Sequence, residues 1–242
     1  MTKVVLITGA NSGIGFELAR LISEKGHVVY IGSRNETSGK KAVNTLHSEG
    51  FTSVKLCVID VTQHQSIKAA AETIAAAEGK LDILVNNAGV YLPDENQNPI
   101  SPSLDAIRAI METNFFGVIQ TTAAFIPLLR KSTSKAPVIV NVSSGLGSNA
   151  SRAQAGPDAY DFAGYNASKA ALNAYTIALS HELLKEGFKV NVVAPGYTAT
   201  KLTGGQGQPV RNGALALFRW ALLDESGPTG KFFEFDGTEK AW

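Results

Sequence analysis

The chain has 242 residues, 44% of them hydrophobic, and a net charge of +1; it can bury one substantial core, and its interspersed charges form neither a nucleic-acid-binding face nor a basic membrane-surface stretch. Cys57 is the only cysteine, so an internal disulfide is excluded. The histidines at 27, 47, 64 and 181 lack metal-ligand spacing, since Lys185 stands where a second histidine would follow His181-Glu182.

Lys3-Val4-Val5-Leu6-Ile7 is short, β-branched and continuously apolar, and predicts a fully buried strand over 3–8. It runs into Thr8-Gly9-Ala10-Asn11-Ser12-Gly13-Ile14-Gly15, after which Phe16, Leu18, Ala19, Leu21 and Ile22 take helical spacing. Glycines at 9, 13 and 15 suit a strand-to-helix turn that lets a pyrophosphate approach backbone amides at a helix N-terminus. The expectation is a dinucleotide site built from Gly9, Asn11, Ser12, Gly13, Ile14 and Gly15; an ordinary tight turn is the other use of such glycines. Phe16 after Gly15 excludes a P-loop.

A second strand over 27–32 ends at Ser33-Arg34, where a doubly wound fold meets the adenosine ribose. An acid there would bind the 2′-hydroxyl and repel a 2′-phosphate, whereas an arginine pairs with the phosphate. Ser33 and Arg34 therefore predict NADPH/NADP+ rather than NADH, against the alternative of a surface arginine beside a turn. A third strand, 54–59, ends in Asp60-Val61, and a fourth, 82–86, in Asn86-Asn87-Ala88-Gly89. Both ends fall on the carboxyl edge of a parallel sheet, where ligands bind. Cys57 lies within the third strand and reads as a buried spectator thiol.

Leu104 to Thr113 is helical in pattern and is followed by Asn114, an awkward residue inside a helix because its side chain competes for backbone hydrogen bonds. A fifth strand over 136–142 ends in Ser143-Ser144 and opens a Gly/Ser-rich stretch. Tyr165 and Lys169 then stand four apart at the head of an apolar helical run, on one face. A free phenol titrates near ~10. A neighbouring ammonium would lower that value toward the range where acid/base catalysis is efficient, although such pairs on ordinary helices merely pack and solvate. A sixth strand, 188–193, leads into Pro195-Gly196-Tyr197-Thr198-Ala199-Thr200, the start of a lid, and a last strand is predicted over 231–235. The alternation of strands and helices demands right-handed crossovers, so the predicted architecture is α/β: one doubly wound, Rossmann-like domain over 1–242, with a parallel seven-stranded sheet between helices.

Thr8-Gly9, Gly13-Ile14-Gly15, Asp60, Asn86-Asn87-Ala88-Gly89, Asn114, Ser143-Ser144, Tyr165 with Lys169, and Pro195-Gly196 occur in an order that resembles the single-domain short-chain dehydrogenase/reductases over essentially the whole chain. Within that family the chain looks most like the NADPH-dependent carbonyl reductases, in Ser33-Arg34, the long segment before Tyr165 and the tail from Gly230 to Trp242. One departure is Ser12, where many NADP(H)-preferring members carry a basic residue, so the cofactor expectation rests on Arg34 alone.

The resemblance implies reduction of a small-molecule ketone or aldehyde, with hydride from nicotinamide C4 and a proton from Tyr165. Lys169 would bias the phenol and bind the nicotinamide ribose, and Ser144, by register rather than Ser143, would hold the substrate oxygen. Asn114 would sit at a helix kink and help hold a water linking Lys169 to solvent. Asp60 would accept from the adenine amino group, unless it is only an acid before the next helix, with Val61, Asn87, Ala88 and Gly89 beside it. Pro195, Gly196, Thr198 and Thr200 would reach the cofactor from the lid, and Tyr91, Phe162, Tyr197 and Trp220 are candidates to border the pocket. Stretches 145–164 and 197–213 would shape the substrate side, and the length of the first favours a monomer. With no apolar leader before strand one and no span of about 20 apolar residues, a cytoplasmic enzyme is expected. The competing readings are an oxidative NAD(P)-dependent alcohol or hydroxysteroid dehydrogenase and a non-catalytic NADP(H) sensor.

Overall fold

A computed structural model describes residues 1–156 and 162–242. Seven parallel strands form a single sheet: β1 (Val4–Ile7), β2 (Val28–Ser33), β3 (Val54–Val58), β4 (Ile83–Asn86), β5 (Val138–Val142), β6 (Lys189–Val193) and β7 (Phe232–Phe233). Their order is β3-β2-β1-β4-β5-β6-β7. The chain thus winds outward from β1 in one direction and from β4 in the other, and the crevice opens where that direction reverses. Register is fixed by pairs such as Val5 with Val29 on one side and with Ile83 on the other.

Helices cover both faces: α1 (Gly13–Ser23), α2 (Glu36–Ser48), α3 (His64–Glu78), α4 (Leu104–Met111), α5 (Gly117–Leu129), α6 (Asn149–Ala153), α7 (Ala163–Glu182) and α8 (Val210–Ala221). Because successive strand side chains alternate in direction, β1 feeds two cores at once. Val5 and Ile7 pack with Leu18 and Ile22 of α1, Leu46 of α2 and Leu217 of α8. Val4 and Leu6 pack with Ile67 and Ile74 of α3 and Phe125 of α5. Fully burying side chains of this size stabilises by about 1.5–3 kcal/mol each. Cys57 belongs to the second core, where burial pushes its thiol up to about 12.

A polar seam crosses the otherwise apolar interior. The amide of Asn86 donates to Thr122 Oγ1 of α5 at 3.0 Å and to Asn141 Oδ1 of β5 at 2.8 Å, and Asn141 donates in turn to Thr176 Oγ1 of α7 at 2.9 Å. Satisfied in this way, buried amides specify register as well as contributing stability. The seam sets α7 against β4 and β5. Asn86, which the sequence places at the ligand-binding edge of the sheet, therefore works in the interior.

The seventh strand is shorter than its predicted span of 231–235. Glu234 N–H donates to Thr238 O and Lys240 N–H to Phe232 O, so the chain turns back at Glu234 and leaves the register of β6. Among the described residues no helix is long and apolar enough to cross a membrane.

Candidate active site

The crevice is a cavity of about 1160 Å³ along the carboxyl ends of the strands. Its floor at one end is the glycine turn after β1. Gly9 has a φ of 64° and Gly13 of 61°, a region that side chains avoid. A Cβ on Gly9 would stand 2.9 Å from Ala88 Cα, and one on Gly15 2.5 Å from Asn87 Nδ2. Asn11, Ser12, Gly13, Ile14 and Gly15 all line the cavity. Ser12 precedes α1 without capping it, and no acidic residue lies in the first turn, so the positive end of the helix faces the cavity uncompensated. These residues fit a pyrophosphate, and the room left by the missing Cβ atoms fits its close approach.

The β4 loop is tied to this turn. Thr8 Oγ1 accepts from the N–H of Asn87 and of Ala88, both at 3.0 Å, and the Asn87 amide donates to Thr8 O at 2.8 Å and Gly9 O at 3.2 Å. Asn87, Ala88 and Gly89 line the cavity, as do Asp60 and Val61 after β3. Asp60 Oδ1 accepts from Thr62 N–H at 3.0 Å and Thr62 Oγ1 at 2.8 Å, while α3 begins after Gln63. The alternative of Asp60 as a helix-capping acid is thereby corrected: it turns the chain at the cavity wall.

Arg34 is exposed on the cavity rim, and no carboxylate among the described residues stands within ion-pair distance of it. Ser33 differs from expectation. It is buried, donates to Asn35 O at 2.8 Å and packs against Gly39, away from the cavity lining. What position 33 contributes is the absence of an acid.

The chemical groups meet at the other end. Lys169, 5% exposed, donates to Val142 O at 2.9 Å, and its Nζ lies 5.7 Å from the centroid of the Tyr165 ring. Burial lowers its pKa to about 8. The expected lowering of the Tyr165 pKa is not found: burial pushes the phenol up to about 12, against a hydrogen bond with Ser144 that pulls it down. The ammonium is spent on a carbonyl, and desolvation is the largest influence on the phenol. Both serines border the cavity, but the Ser143 hydroxyl is taken up inside, donating to Asn173 Oδ1 at 2.8 Å. Of the two serines, only Ser144 meets the phenol.

Asn114 lies in a wide helical turn, Glu112–Phe116, where Gly117 N–H reaches back to Glu112 O. This is the kink expected between α4 and α5, and such turns recur at functional sites. Its Oδ1 accepts from Val90 N–H at 2.8 Å, and its amide donates to Val90 O at 2.9 Å and Ser168 Oγ at 3.1 Å. A Cβ on Gly89 would stand 3.3 Å from Asn114 Oδ1 and 3.7 Å from Lys169 Nζ, so Gly89 separates the two.

On the lid, Pro195, Gly196, Thr198 and Thr200 line the cavity, and Thr200 Cγ2 would lie 3.4 Å from a Cβ on Gly13. Thr198 is buried and its hydroxyl donates to Gly196 O at 3.1 Å. Tyr197 also lines the cavity but is 62% exposed, its hydroxyl on Gln206 Oε1 at 3.1 Å. Tyr91 makes edge contacts with Phe162 at 5.1 Å and Tyr165 at 5.3 Å, and all three border the cavity. Trp220 does not: it stacks on Phe233 at 3.6 Å over the first core. Of the stretch 145–164, residues 157–161 lie outside the described residues. Leu146, in the stretch expected to shape the substrate side, borders the cavity, and Glu234 and Phe235 do so without having been expected to. The last two come from the turn after β7, which reads in sequence as plain strand.

Residues 3–210 match the family described as short chain dehydrogenase. The chain is 37% identical over 224 residues to the short-chain dehydrogenase anuI of Penicillium roqueforti, covering 90% of this chain and 88% of that one. Among solved structures it is similar to salutaridine reductase from Papaver somniferum, with a TM-score of 0.81, 31% identity, and 95% and 99% of the two chains covered. It is also similar to an NADPH-bound carbonyl reductase from chicken fatty liver, with a TM-score of 0.85, 25% identity, and 100% and 99% covered.

Proposed function

Since this chain belongs to the short-chain dehydrogenase/reductase family, we propose that it is an NADPH-dependent reductase of ketones or aldehydes. When bound, NADPH supplies hydride at nicotinamide C4. The observation that carries the reading is the convergence of Tyr165, Ser144 and Lys169 at one end of a cavity whose other end is the glycine turn and Arg34.

Tyr165 is the proton donor. With its phenol pushed up to about 12, it stays protonated through neutral pH and is poised to give a proton to a carbonyl oxygen. Ser144 donates to the same oxygen where negative charge develops. Lys169 stabilises the phenolate left behind and reaches the nicotinamide ribose. Asn114 holds Val90 and Gly89 in place beside that ammonium and, in our reading, helps to hold the water that links it to solvent.

The remaining residues bind and orient. The turn from Gly9 to Gly15 holds the pyrophosphate, Arg34 pairs with the 2′-phosphate, and Asp60 and Val61, with Asn87, Ala88 and Gly89, take the adenosine. Pro195, Gly196, Thr198 and Thr200 close over the nicotinamide end. Stretches 145–164 and 197–213 shape the substrate side, where Tyr91, Phe162 and Phe235 suit an apolar carbonyl compound.

The proposed enzyme works in the cytoplasm as a monomer, and the tail supports the second of these. Trp242 O accepts from Ala150 N–H at 2.9 Å, so the tail covers the stretch leading to α7. A tetramer mass independent of concentration in light scattering would contradict this. The activity is tested by NADPH consumption with a panel of ketones, aldehydes and quinones, with NADH in parallel and Tyr165→Phe as blank. Failure of the wild-type chain to consume NADPH with any carbonyl would sink the reading.

A further inference from the structure

α7 begins without a side-chain cap of its own, since Phe162 precedes it. The side chain of Gln97, 68 residues upstream of Tyr165, takes that place. Its Oε1 accepts from Tyr165 N–H at 3.0 Å, and its main-chain oxygen accepts from Ala163 N–H at 3.2 Å. Its Nε2 donates to Tyr91 O at 2.7 Å and Leu92 O at 3.2 Å. At 3% exposure the amide is sealed from water.

Two local oddities fit this clamp. Leu92 has a φ of 51°, the one positive value among the described non-glycine residues, and such a backbone persists only where its surroundings hold it. Gly164 is required for the approach: a Cβ there would stand 2.9 Å from Ile107 Cγ1 and 3.3 Å from Gln97 Oε1. One planar group therefore joins the head of the helix that carries Tyr165 to the loop that carries Tyr91, whose ring edges onto the phenol.

We propose that Gln97 is a positioning residue for the reduction, fixing the proton donor and the Tyr91 wall as one body so that the carbonyl lies within reach of the phenol. The proposal rests on the reductase reading above. Misplacement of a reacting group by about 1 Å can cost on the order of 10²-fold, whereas the cofactor cradle lies elsewhere and would be untouched. Only an amide accepts and donates here at every pH. A carboxyl at this position can do both when protonated, but when ionised it faces two carbonyl oxygens, and burial among them raises its pKa.

The experiment compares wild type, Gln97→Ala and Gln97→Glu as full chains, well below the melting temperature of each, for kcat, KM, NADPH Kd and pH profile. The expected result is a kcat at least about tenfold lower in Gln97→Ala with NADPH Kd nearly unchanged. In Gln97→Glu, activity relative to wild type should be near normal at acid pH and fall as pH rises through the pKa of the new carboxyl. Reduced thermal stability with kcat unchanged, or a flat Gln97→Glu to wild-type ratio across pH, would overturn the positioning role while leaving the reductase reading intact. Absence of wild-type turnover would overturn that reading, and the positioning role with it.

Discussion

The ammonium of Lys169 donates to the carbonyl oxygen of Val142 at 2.9 Å and stands 5.7 Å from the centroid of the Tyr165 ring. A charge so placed does little for the neutral phenol but is close enough to stabilise a phenolate once the proton has left. Burial holds this lysine at about 8, so it loses its charge in the range where the enzyme can be assayed.

Carbonyl reduction should therefore be steady at acid and neutral pH and fall as pH rises through about 8, measured as kcat/KM at saturating NADPH. The sign is opposite for folding. An unfolded lysine keeps its proton to about 10.5, so below that value folding works against the buried charge, and stability gained through Lys169 grows as pH rises from about 8 to 10.5. Lys169→Met should accordingly melt higher than wild type at neutral pH, by on the order of 1–3 kcal/mol in unfolding free energy, while losing activity. Calorimetry of the two proteins at pH 7 checks it.

Tyr165→Phe removes the transferable proton and little else. Turnover should drop by about 10²-fold or more, with NADPH affinity nearly intact. Stopped-time assays beside a fluorescence titration of NADPH separate the two effects, and full activity in the variant would refute the assignment of the donor.

The neighbouring serines should part company. Ser144→Ala loses the donor at the phenol and should cost on the order of 10²-fold in kcat. Ser143→Ala breaks the buried bond to Asn173 and should cost about 1–3 kcal/mol in stability while turnover survives. Urea titration and kinetics of the same two preparations give both numbers, and the reverse pattern would move the role to Ser143.

Arg34→Asp removes a partner for a 2′-phosphate and adds repulsion. The ratio of NADPH to NADH efficiency should fall by about 10- to 100-fold. An unchanged ratio would show that another group reads the ribose.

The frame was legible because its signals are local. Continuous β-branched runs mark β1, β4 and β5, a glycine turn must lie between a strand and a helix, and the i, i+4 spacing of Tyr165 and Lys169 needs only a helix to bring them together. Direction and environment were less legible. The side chain of Ser33 faces inward because Gly39 leaves room for it, and Trp220 belongs to the core because Phe233 lies beneath it, both facts of packing across the chain. The sign of the Tyr165 shift turned on desolvation, which no spacing reports. Gln97 lies in an irregular loop without periodicity; its partners are fixed only once α7 docks against α4.

The strand order separates two choices that many enzymes entangle. In the proposed reading, cofactor identity is set after β2, on one side of the β1–β4 junction, while the groups that would greet a substrate follow β4, β5, β6 and β7. Changes at Arg34 and at Tyr197 should then combine as independent factors, since residues without shared partners contribute additively in free energy. A lineage or an engineer can retune electron source and carbonyl scope one at a time, each step leaving the other setting where it was.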